Sequence, residues 1–355
     1  MTLILEQPLY QTDIEKVVDT VSWDSFSQQS FLIIGASGMI GSFMVDVLMK
    51  ANQKFSLDMK VYAMGRNQER LMQRFAPYLS EANFHIQIGD ITKPLPESLQ
   101  VDYLIHGASN THPKAYATDP IGTIMTNLMG TEVVLKHAVT TNAKRVLFLS
   151  TVEVYGENRG DVELFSEDYC GYIDCNTLRA GYPEGKRVSE SLCQAYITKY
   201  GIDVVIPRLS RAFGPTMLLS DTKASSQFIL NAVRGEDIVL KSAGTQHFSY
   251  IYVGDAVTSL LYLLQHGENG EAYNVAGGAP FDLRLKELAA DLATIGGAKV
   301  VFELPDEIEQ KGFSKASKAL LDIAKLENLG WQPLFDKEEA LRHTVEIVKD
   351  EYLNV

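Results

Sequence analysis

Cysteine is scarce in this sequence, and its pattern excludes the usual metal sites. The three cysteines, Cys170, Cys175 and Cys193, form no Cys-x-x-Cys pair, and no cluster of His and Cys has the spacing of a zinc site. Cys193 lies in an apolar helical stretch, where a buried thiol is expected. We therefore expect no bound metal, and the cysteine usage suits a reducing compartment.

Basic residues are also few. Lysine and arginine number 32 against 45 acidic residues, which leaves a formal net charge of -13. Nucleic acids and anionic membranes bind surfaces that carry an excess of positive charge. The charge balance therefore argues against both as partners, although it is compatible with a local basic pocket for phosphate groups.

Long apolar runs are missing as well. No segment approaches the roughly 20 apolar residues that a membrane-spanning helix needs. The first residues, MTLILEQPLYQTD, lack the basic stretch and the sustained apolar stretch of a secretory signal. These absences predict a soluble, cytoplasmic protein without a membrane partner.

From Phe31 onward, short apolar segments alternate with amphipathic segments of helical length. The apolar segments cover 31–35, 60–65, 84–90, 102–109, 145–150 and 203–209. Continuous apolar strands are typical of a parallel sheet that is covered on both faces. The alternation predicts an α/β fold with a doubly wound parallel sheet of the Rossmann type.

The rhythm weakens after Arg208, which suggests a second unit. We expect a polar N-terminal extension (1–30) with a short helix at 13–21, and a dinucleotide-binding Rossmann domain formed by 31–207 plus 236–276. A smaller C-terminal α/β substrate lobe would comprise 208–235 plus 277–355, with helices at 226–234 and 283–295. Such a lobe would lie over the carboxyl edge of the sheet, where ligands of open α/β sheets bind.

A glycine-rich loop follows the first predicted strand. Gly35, Gly38 and Gly41 are spaced as GxxGxxG between a strand and a helix. The first permits a tight turn, the second lets a pyrophosphate approach the backbone, and the third allows close packing of helix on strand. Glycines in a turn are often only a turn, but this context favours a dinucleotide site. We expect it to comprise Gly35, Ser37, Gly38, Met39, Ile40 and Gly41.

The end of the second strand bears on the choice between NAD and NADP. NAD sites usually place an Asp or Glu there, which binds the ribose hydroxyls. Here the segment Ala63-Met64-Gly65-Arg66-Asn67 has no carboxylate, and Arg66 could pair with a 2′-phosphate. The alternative is an exposed arginine on a loop. The segment favours NADP, with NAD as the alternative, and Asp90 and Ile91 are expected to meet the adenine ring.

Tyr182 and Lys186 are the candidate catalytic pair. Four residues apart, they share one face of a helix. An ammonium next to a phenol favours the phenolate, so we expect a lowered pKa for Tyr182. Such a phenol can exchange protons with a hydroxyl or carbonyl during hydride transfer. The Thr151 hydroxyl would form a hydrogen bond with the same substrate oxygen. The alternative for Tyr182 and Lys186 is a solvated lysine near a surface tyrosine.

Seven motifs together resemble the extended short-chain dehydrogenase/reductase family, in its NAD-dependent epimerase/dehydratase group. They are GASGMIG (35–41), HGAS (106–109), TNLMGT (126–131), STVEVYG (150–156), YPEGKRVSE (182–190), PRLSRAFGP (207–215) and YIYVGDAV (250–257). The resemblance runs from about Phe31 to Leu292, and the motifs are most similar to those of UDP-glucuronate decarboxylases and dTDP-glucose 4,6-dehydratases.

The resemblance implies a tightly held nicotinamide cofactor and transient oxidation of a hydroxyl on an activated, nucleotide-linked sugar. Tyr182 would exchange the proton, Lys186 would bind the nicotinamide ribose, and Thr151 would bind the reacting oxygen. Further cofactor contacts would come from Gly107, Ala108, Ser109 and Asn127. The resemblance also implies a homodimer through a helix pair that includes the Tyr182 helix.

The chain departs from this family next to Thr151. Dehydratases carry an Asp at the position of Val152, where it acts as the acid for water loss. Valine cannot donate a proton, which argues against 4,6-dehydration by that route. Glu153 remains at the position of their base. It could abstract a proton beside a 4-keto group, or it could only hold the loop.

A second departure concerns the anion anchor. The family usually has Arg before its YxxVxD segment, gripping the pyrophosphate, and Phe248 takes that place here. Arg211 stands where the relatives have Asn, and Thr216 stands where decarboxylases have Arg. We predict that Arg211 is a relocated anion anchor, assisted by Lys223 or His247. The alternative is that the gapless alignment is shifted by a residue or two.

Three functional hypotheses follow from these residues. The first is redox modification of an activated sugar with catalytic recycling of the cofactor. The second is a net NADPH-dependent reductase that acts on a keto group of a nucleotide-linked or phosphorylated sugar. It is supported by Val152, which cannot act as the acid for water loss, and by the segment after the second strand, which favours NADP. The third, a non-catalytic dinucleotide-sensing protein, would have little need for Tyr182, Lys186 and Thr151.

Overall fold

The computed structural model describes residues 4–109, 118–303 and 317–353. Its α-helices are α1 (Pro8–Thr20), α2 (Met39–Phe55), α3 (Gln68–Arg74), α4 (Pro120–Thr141), α5 (Gly181–Tyr200), α6 (Ala224–Arg234), α7 (Val253–His266), α8 (Leu285–Gly296), α9 (Ala324–Leu329) and α10 (Lys337–Leu353). None of the helices within these ranges has both the length and the apolarity that crossing a membrane requires.

The β-strands are mostly short. They are β1 (Ser30–Ile34), β2 (Lys60–Gly65), β3 (Phe84–Ile88), β4 (Tyr103–His106), β5 (Arg145–Phe148), β6 (Ser150–Thr151), β7 (Val204–Leu209), β8 (Arg211–Phe213), β9 (Ile238–Leu240), β10 (His247–Tyr252), β11 (Ala272–Val275), β12 (Asp282–Arg284), β13 (Val300–Phe302) and β14 (Lys318–Ala319).

The central sheet confirms the predicted doubly wound α/β fold. Its parallel strands run in the order β3-β2-β1-β4-β5-β7-β11, and β6 pairs with β7. Phe31 and Ile33 of β1 pack into one apolar cluster while Leu32 and Ile34 pack into another. This alternation is expected of a strand whose two faces are both covered. The order reverses between β1 and β4, which is where open α/β sheets bind ligands.

Two smaller sheets lie outside this central sheet. Strand β10 pairs with β8, β12 and β14, and β9 pairs with β13. Strands β9 and β10 fall within 236–276, the range predicted for the Rossmann domain, yet their partners lie within 208–235 and 277–355, the ranges predicted for the lobe. The division into domains stays a prediction.

We predicted a polar N-terminal extension, but the part of it that the structure describes contributes buried side chains to the core. Helix α1 starts at Pro8, earlier than the expected Asp13, because proline is well suited to a first helical position. Tyr10 is fully buried, and its hydroxyl donates to Asp46 of α2 at 2.5 Å. Asp13 accepts from the Tyr252 hydroxyl at 2.5 Å and pairs with His343 Nδ1 at 2.7 Å. The segment is therefore part of the core.

Candidate active site

The glycine loop joins β1 to α2 by a turn that leaves little room for side chains. Gly35 has φ of +90°, and a Cβ there would lie 3.1 Å from the Ala108 nitrogen. A Cβ on Gly41 would lie 2.5 Å from the Gly35 carbonyl oxygen. Both positions therefore require glycine, one for its conformation and one for the close approach of helix and turn.

The start of α2 fits the pyrophosphate of a dinucleotide. Gly38 is the N-cap, and the first backbone bond of the helix runs from the Ser42 N–H to the Gly38 carbonyl at 2.9 Å. The preceding N–H groups, on Met39, Ile40 and Gly41, lie before the helical bonding pattern begins. Such groups bind anions because they carry the positive end of the helix dipole.

Charged residues gather at the carboxyl ends of β2 and β3, the adenosine side of such a site. Arg66 is exposed after β2, and Asp90 follows β3. Backbone N–H donation from Thr92 lowers the pKa of Asp90, and the nearby Arg66 lowers it further. Ile91 is buried beneath Gly130. The structure thus brings Arg66 and Asp90 together at the sheet edge, and their cofactor contacts stay predictions.

Arg70 was not predicted from the sequence to belong to this site. Its guanidinium donates to the Ser37 carbonyl of the glycine loop at 2.9 Å. The side chain reaches the loop because Asn67 caps α3 and sets the direction of its first turn. A capping Asn followed three residues later by Arg was the signal available in the sequence.

The loop after β4 forms the other wall of the crevice. Gly107 and Ala108 lie against Gly35, and the Ser109 hydroxyl donates to the Asn127 side chain at 2.8 Å. Asn127 is buried on α4 and would lie 3.3 Å from a Cβ on Gly185 of α5. The predicted cofactor residues of this loop are therefore joined to α5.

Tyr182 and Lys186 are both buried on α5, which excludes the surface alternative. A hydrogen bond links the Tyr182 phenol to the Thr151 hydroxyl. The Lys186 ammonium donates to the Leu149 carbonyl at 2.7 Å and lies 4.7 Å from the centre of the Phe148 ring. The predicted phenol and hydroxyl thus meet at the end of β6, and the predicted ammonium binds the backbone carbonyl two residues before Thr151.

The expected lowering of the Tyr182 pKa is wrong for this structure. Burial raises that pKa above its ordinary value, and the Glu153 carboxylate raises it further. The Thr151 hydrogen bond and Arg179 offset only part of this rise. Burial has the converse effect on the Lys186 ammonium, whose pKa falls to about 8. Desolvation is the largest cause of both shifts, because both groups are buried.

Glu153 forms an ion pair with Arg179, which lies just before α5. The guanidinium donates to the Glu153 carboxylate at 2.8 Å. Arg179 was not singled out from the sequence, because no local motif marks it. The ion pair supports the loop-holding role of Glu153, and the carboxylate still lies near enough to Tyr182 to raise its pKa.

Arg211 is stacked on Phe248 between two paired strands. The guanidinium carbon lies 3.5 Å from the centre of the Phe248 ring. Strands β8 and β10 are parallel neighbours, and their register sets Tyr250 opposite Arg211. The predicted anion anchor therefore has a fixed position at the edge of the lobe.

The two predicted helpers of Arg211 lie elsewhere. His247 precedes Phe248 on β10, so its side chain points to the other face of the strand, where Nε2 meets the Asp282 carbonyl at 3.1 Å. Lys223 is the N-cap residue of α6 and pairs with Asp221 at 3.6 Å. The structure does not bring His247 to Arg211, and the role of Lys223 stays a prediction.

Similarity to known proteins shows which family this chain belongs to. The model of the NAD dependent epimerase/dehydratase family matches residues 31–276. The chain belongs to this family. The predicted resemblance is thereby confirmed, and so is the expectation of an enzyme.

Several relatives match most of this family member. UDP-glucuronic acid decarboxylase 1 of Xenopus tropicalis is 32% identical over 329 residues, covering 91% of this chain and 73% of that protein. UDP-glucuronic acid decarboxylase 6 of Arabidopsis thaliana is 33% identical over 319 residues, covering 89% and 87%. The crystal structure of a dTDP-glucose 4,6-dehydratase from Streptomyces venezuelae with NAD bound gives a TM-score of 0.75 at 26% identity, covering 90% and 97%.

A partly buried ion pair ties α5 of this family member to the neighbouring strands. Glu190, one turn beyond Lys186, accepts from Arg208 at 2.7 and 3.1 Å and from the Ser150 hydroxyl. Ser150 and Arg208 face each other in the β6–β7 pair. The network therefore holds Thr151, the next residue along β6, in place against α5.

Glu190→Gln is expected to move the alkaline limb of kcat/KM to lower pH. The groups that face the Lys186 ammonium are Glu190 and Cys193 on α5 and His106 on β4. Glu190 raises the Lys186 pKa, so neutralising it makes Lys186 lose its proton below pH 8. Initial rates from pH 6 to 10 measure the shift. Glu271→Gln, in an exposed pair with Lys325, is the control, and equal limbs in the two variants would contradict the prediction.

Proposed function

We propose that this enzyme transfers a hydride at a hydroxyl or ketone of a nucleotide-linked sugar. The observation that carries the proposal is the hydrogen bond between Tyr182 and Thr151, with the Lys186 ammonium bound to the Leu149 carbonyl two residues before Thr151. In this arrangement the Tyr182 phenol exchanges a proton with the sugar oxygen. The Thr151 hydroxyl orients that oxygen, and Lys186 supplies positive charge. The names of the relatives, which are enzymes of UDP- and dTDP-linked sugars, support the substrate class.

The residues present fit a nicotinamide dinucleotide. The tight glycine turn and the first N–H groups of α2 suit its pyrophosphate, and Arg66 and Asp90 lie on the adenosine side. Asn127, Ser109 and Lys186 would hold its other half. When bound, the nicotinamide would accept or donate the hydride.

We further propose a preference for NADP over NAD. The segment after β2 carries no carboxylate, and two arginines lie close to it in the sequence: Arg66 at the end of β2, and Arg70, which donates to the Ser37 carbonyl of the glycine loop. A 2′-phosphate can pair with guanidinium groups, whereas NAD sites usually offer a carboxylate to the ribose. The related dehydratase structure contains NAD, so the preference rests on these arginines alone.

Arg66→Asp is expected to weaken NADPH binding by about 10- to 100-fold, the value of one charge-assisted pair. NADH binding should stay within about threefold or improve, because a carboxylate can accept from ribose hydroxyls. Quenching of protein fluorescence by each cofactor measures both affinities. Arg159→Asp makes the same charge change on an exposed loop and should alter neither. An unchanged ratio of the two affinities in Arg66→Asp would contradict the NADP preference.

Two net reactions are compatible with this chemistry. Val152 is buried and apolar where dehydratases have an acid. Thr216, at the position of the decarboxylase arginine, donates its hydroxyl to the Met39 carbonyl. These two residues argue against assigning the dehydratase or the decarboxylase activity to this enzyme. The leading reaction is redox modification of the sugar with recycling of the cofactor, and the alternative is net reduction of a keto sugar by NADPH.

Absorbance at 340 nm separates the two reactions. Recycling predicts a modified nucleotide sugar, seen by chromatography, without net loss of NADPH or gain of NADH. The reductase predicts one NADPH consumed for each keto sugar reduced. A protein that does neither with UDP-, dTDP-, CDP- or GDP-linked sugars would contradict the proposed function.

We also propose a homodimer through α4 and α5. Both helices expose apolar side chains on their outer surfaces, among them Ile121 (75% exposed), Met125 (43%) and Val188 (45%). Clustered exposed apolar residues are typical of interaction sites. Light scattering should give twice the chain mass of 39.4 kDa for the wild-type protein. The double variant with Ile121→Asp and Val188→Asp should give the mass of one chain.

A further inference from the structure

The stack of Arg211 on Phe248 holds a positive charge without neutralising it. The ring lies 3.5 Å below the guanidinium and covers one of its faces. An aromatic ring attracts a cation through its negative face but accepts no hydrogen bond in the plane of the guanidinium. The donors of Arg211 must therefore find acceptors elsewhere.

One of those donors has no acceptor within the described part of the chain. The Nη1 atom of Arg211 is buried and makes no hydrogen bond there. Burial also lowers the pKa of this guanidinium, as expected of a desolvated cation. A buried, unpaired donor on a charged group is costly, and an anionic ligand would remove that cost.

The neighbouring charges leave this position available to a ligand. Glu153 attracts Arg211, but its carboxylate is already bound by Arg179 at 2.8 Å. Glu153 also lies close enough to Tyr182 to raise its pKa. Arg211 therefore presents unpaired positive charge on the same side as the catalytic tyrosine.

The family resemblance bears on the same two positions. It implies an Asn at the position of Arg211 and an Arg at the position of Phe248. Because β8 and β10 are paired neighbours, such an exchange would move a guanidinium from one strand to the next instead of deleting it. The Phe248 ring lies against the guanidinium of Arg211 and supports it from below.

We propose that Arg211, supported by Phe248, binds an anionic group of the substrate, and that exchange of these two positions sets substrate specificity. The chemistry recognised is a planar, bidentate anion. Its source is either the diphosphate of the nucleotide or a carboxylate on the sugar. The proposal rests on the proposed function, because both sources belong to a nucleotide-linked sugar.

Four full-length proteins test the proposal: wild type, Arg211→Asn, Phe248→Arg and the double variant. Calorimetry measures binding of UDP, dTDP, CDP and GDP, and of glucose and glucuronic acid linked to the nucleotide that binds best. We expect Arg211→Asn to weaken binding at least about 30-fold, the loss typical of removing one partner of a desolvated charge pair. The double variant should recover to within about fivefold of wild type, because the guanidinium returns on the neighbouring strand.

The pattern of losses identifies the anion. Loss for every diphosphate assigns the nucleotide phosphates to Arg211. Loss for the glucuronic acid compound alone assigns a carboxylate. Unchanged binding of all ligands by Arg211→Asn overturns the anchor, and a double variant as weak as Arg211→Asn overturns the exchange. Wild-type protein that binds none of the four diphosphates contradicts the proposed function itself.

Two controls separate binding from folding. Arg234→Asn removes an arginine at the end of α6 in the same lobe, where it pairs with Glu236 at 3.8 Å, and should bind every ligand as wild type does. Quenching of protein fluorescence by NADPH should be unchanged in all variants, because the glycine loop lies on the Rossmann side.

An Arg211→Asn protein that has lost NADPH binding is misfolded, and Arg211→Lys then replaces it. Lysine keeps the positive charge without the planar fork, so we expect it to weaken ligand binding by at least about tenfold. Wild-type binding by Arg211→Lys would overturn the bidentate assignment.

Discussion

Replacing Tyr182 with phenylalanine is expected to lower kcat by about two to four orders of magnitude, the usual contribution of a positioned proton-transfer group. The change removes one oxygen atom and leaves the ring that packs against the Thr151 loop. Burial raises the pKa of this phenol, so it is protonated at neutral pH and can donate to the oxygen of a ketone. Single-turnover measurement of product formation reports the step directly.

The Tyr182→Phe protein should still bind its nicotinamide cofactor to within about threefold of wild type, because the phenol contributes at most one neutral hydrogen bond to it. Tyr196→Phe, further along α5, is the control and should leave both quantities unchanged. A Tyr182→Phe enzyme with wild-type turnover would remove Tyr182 from the chemistry. Loss of cofactor binding instead of turnover would make its role structural.

Gly41→Ala is expected to abolish measurable cofactor binding, with a loss of at least about 100-fold. The added Cβ would lie 2.5 Å from the Gly35 carbonyl oxygen and 2.9 Å from the Ala36 Cα. Both atoms belong to the backbone, so the start of α2 must move away from the turn. A shift of a few tenths of an ångström there displaces the N–H groups that would bind the pyrophosphate. Titration with NADH and NADPH, followed by fluorescence, measures the loss.

The stability of Gly41→Ala should fall as well, by about 1–3 kcal/mol, as overpacking usually costs. Gly201→Ala is a matched control. Its φ of +69° strains an alanine by about 1–2 kcal/mol, and a Cβ there would meet no atom within 4 Å. It should lose stability and keep its cofactor. Equal cofactor affinity in the two variants would contradict the assignment of the glycine loop.

Much of the fold was readable from local pattern. Strand β2 was predicted at its observed bounds. The two helices of the lobe were predicted within a few residues of their observed ends. These elements are set by apolar periodicity over a few residues, which the sequence displays directly.

The N-terminal helix shows where local pattern is insufficient. Residues 1–30 looked polar because Asp13 and neighbouring charged residues interrupt the apolar positions. In the structure Asp13 is buried between Tyr252 and His343, and Tyr10 is bound to Asp46. These partners lie far away in the sequence, so no window around Asp13 could show that its charge is compensated.

By itself, the sequence determined the doubly wound sheet, the glycine loop, and the shared helix face of Tyr182 and Lys186. Each depends on spacing between residues that are close along the chain. Only the tertiary structure decided that burial raises the pKa of Tyr182, that Arg70 reaches Ser37, and that Arg211 lies on Phe248. Burial and electrostatic attraction act through space, so they depend on which distant segments the fold places side by side.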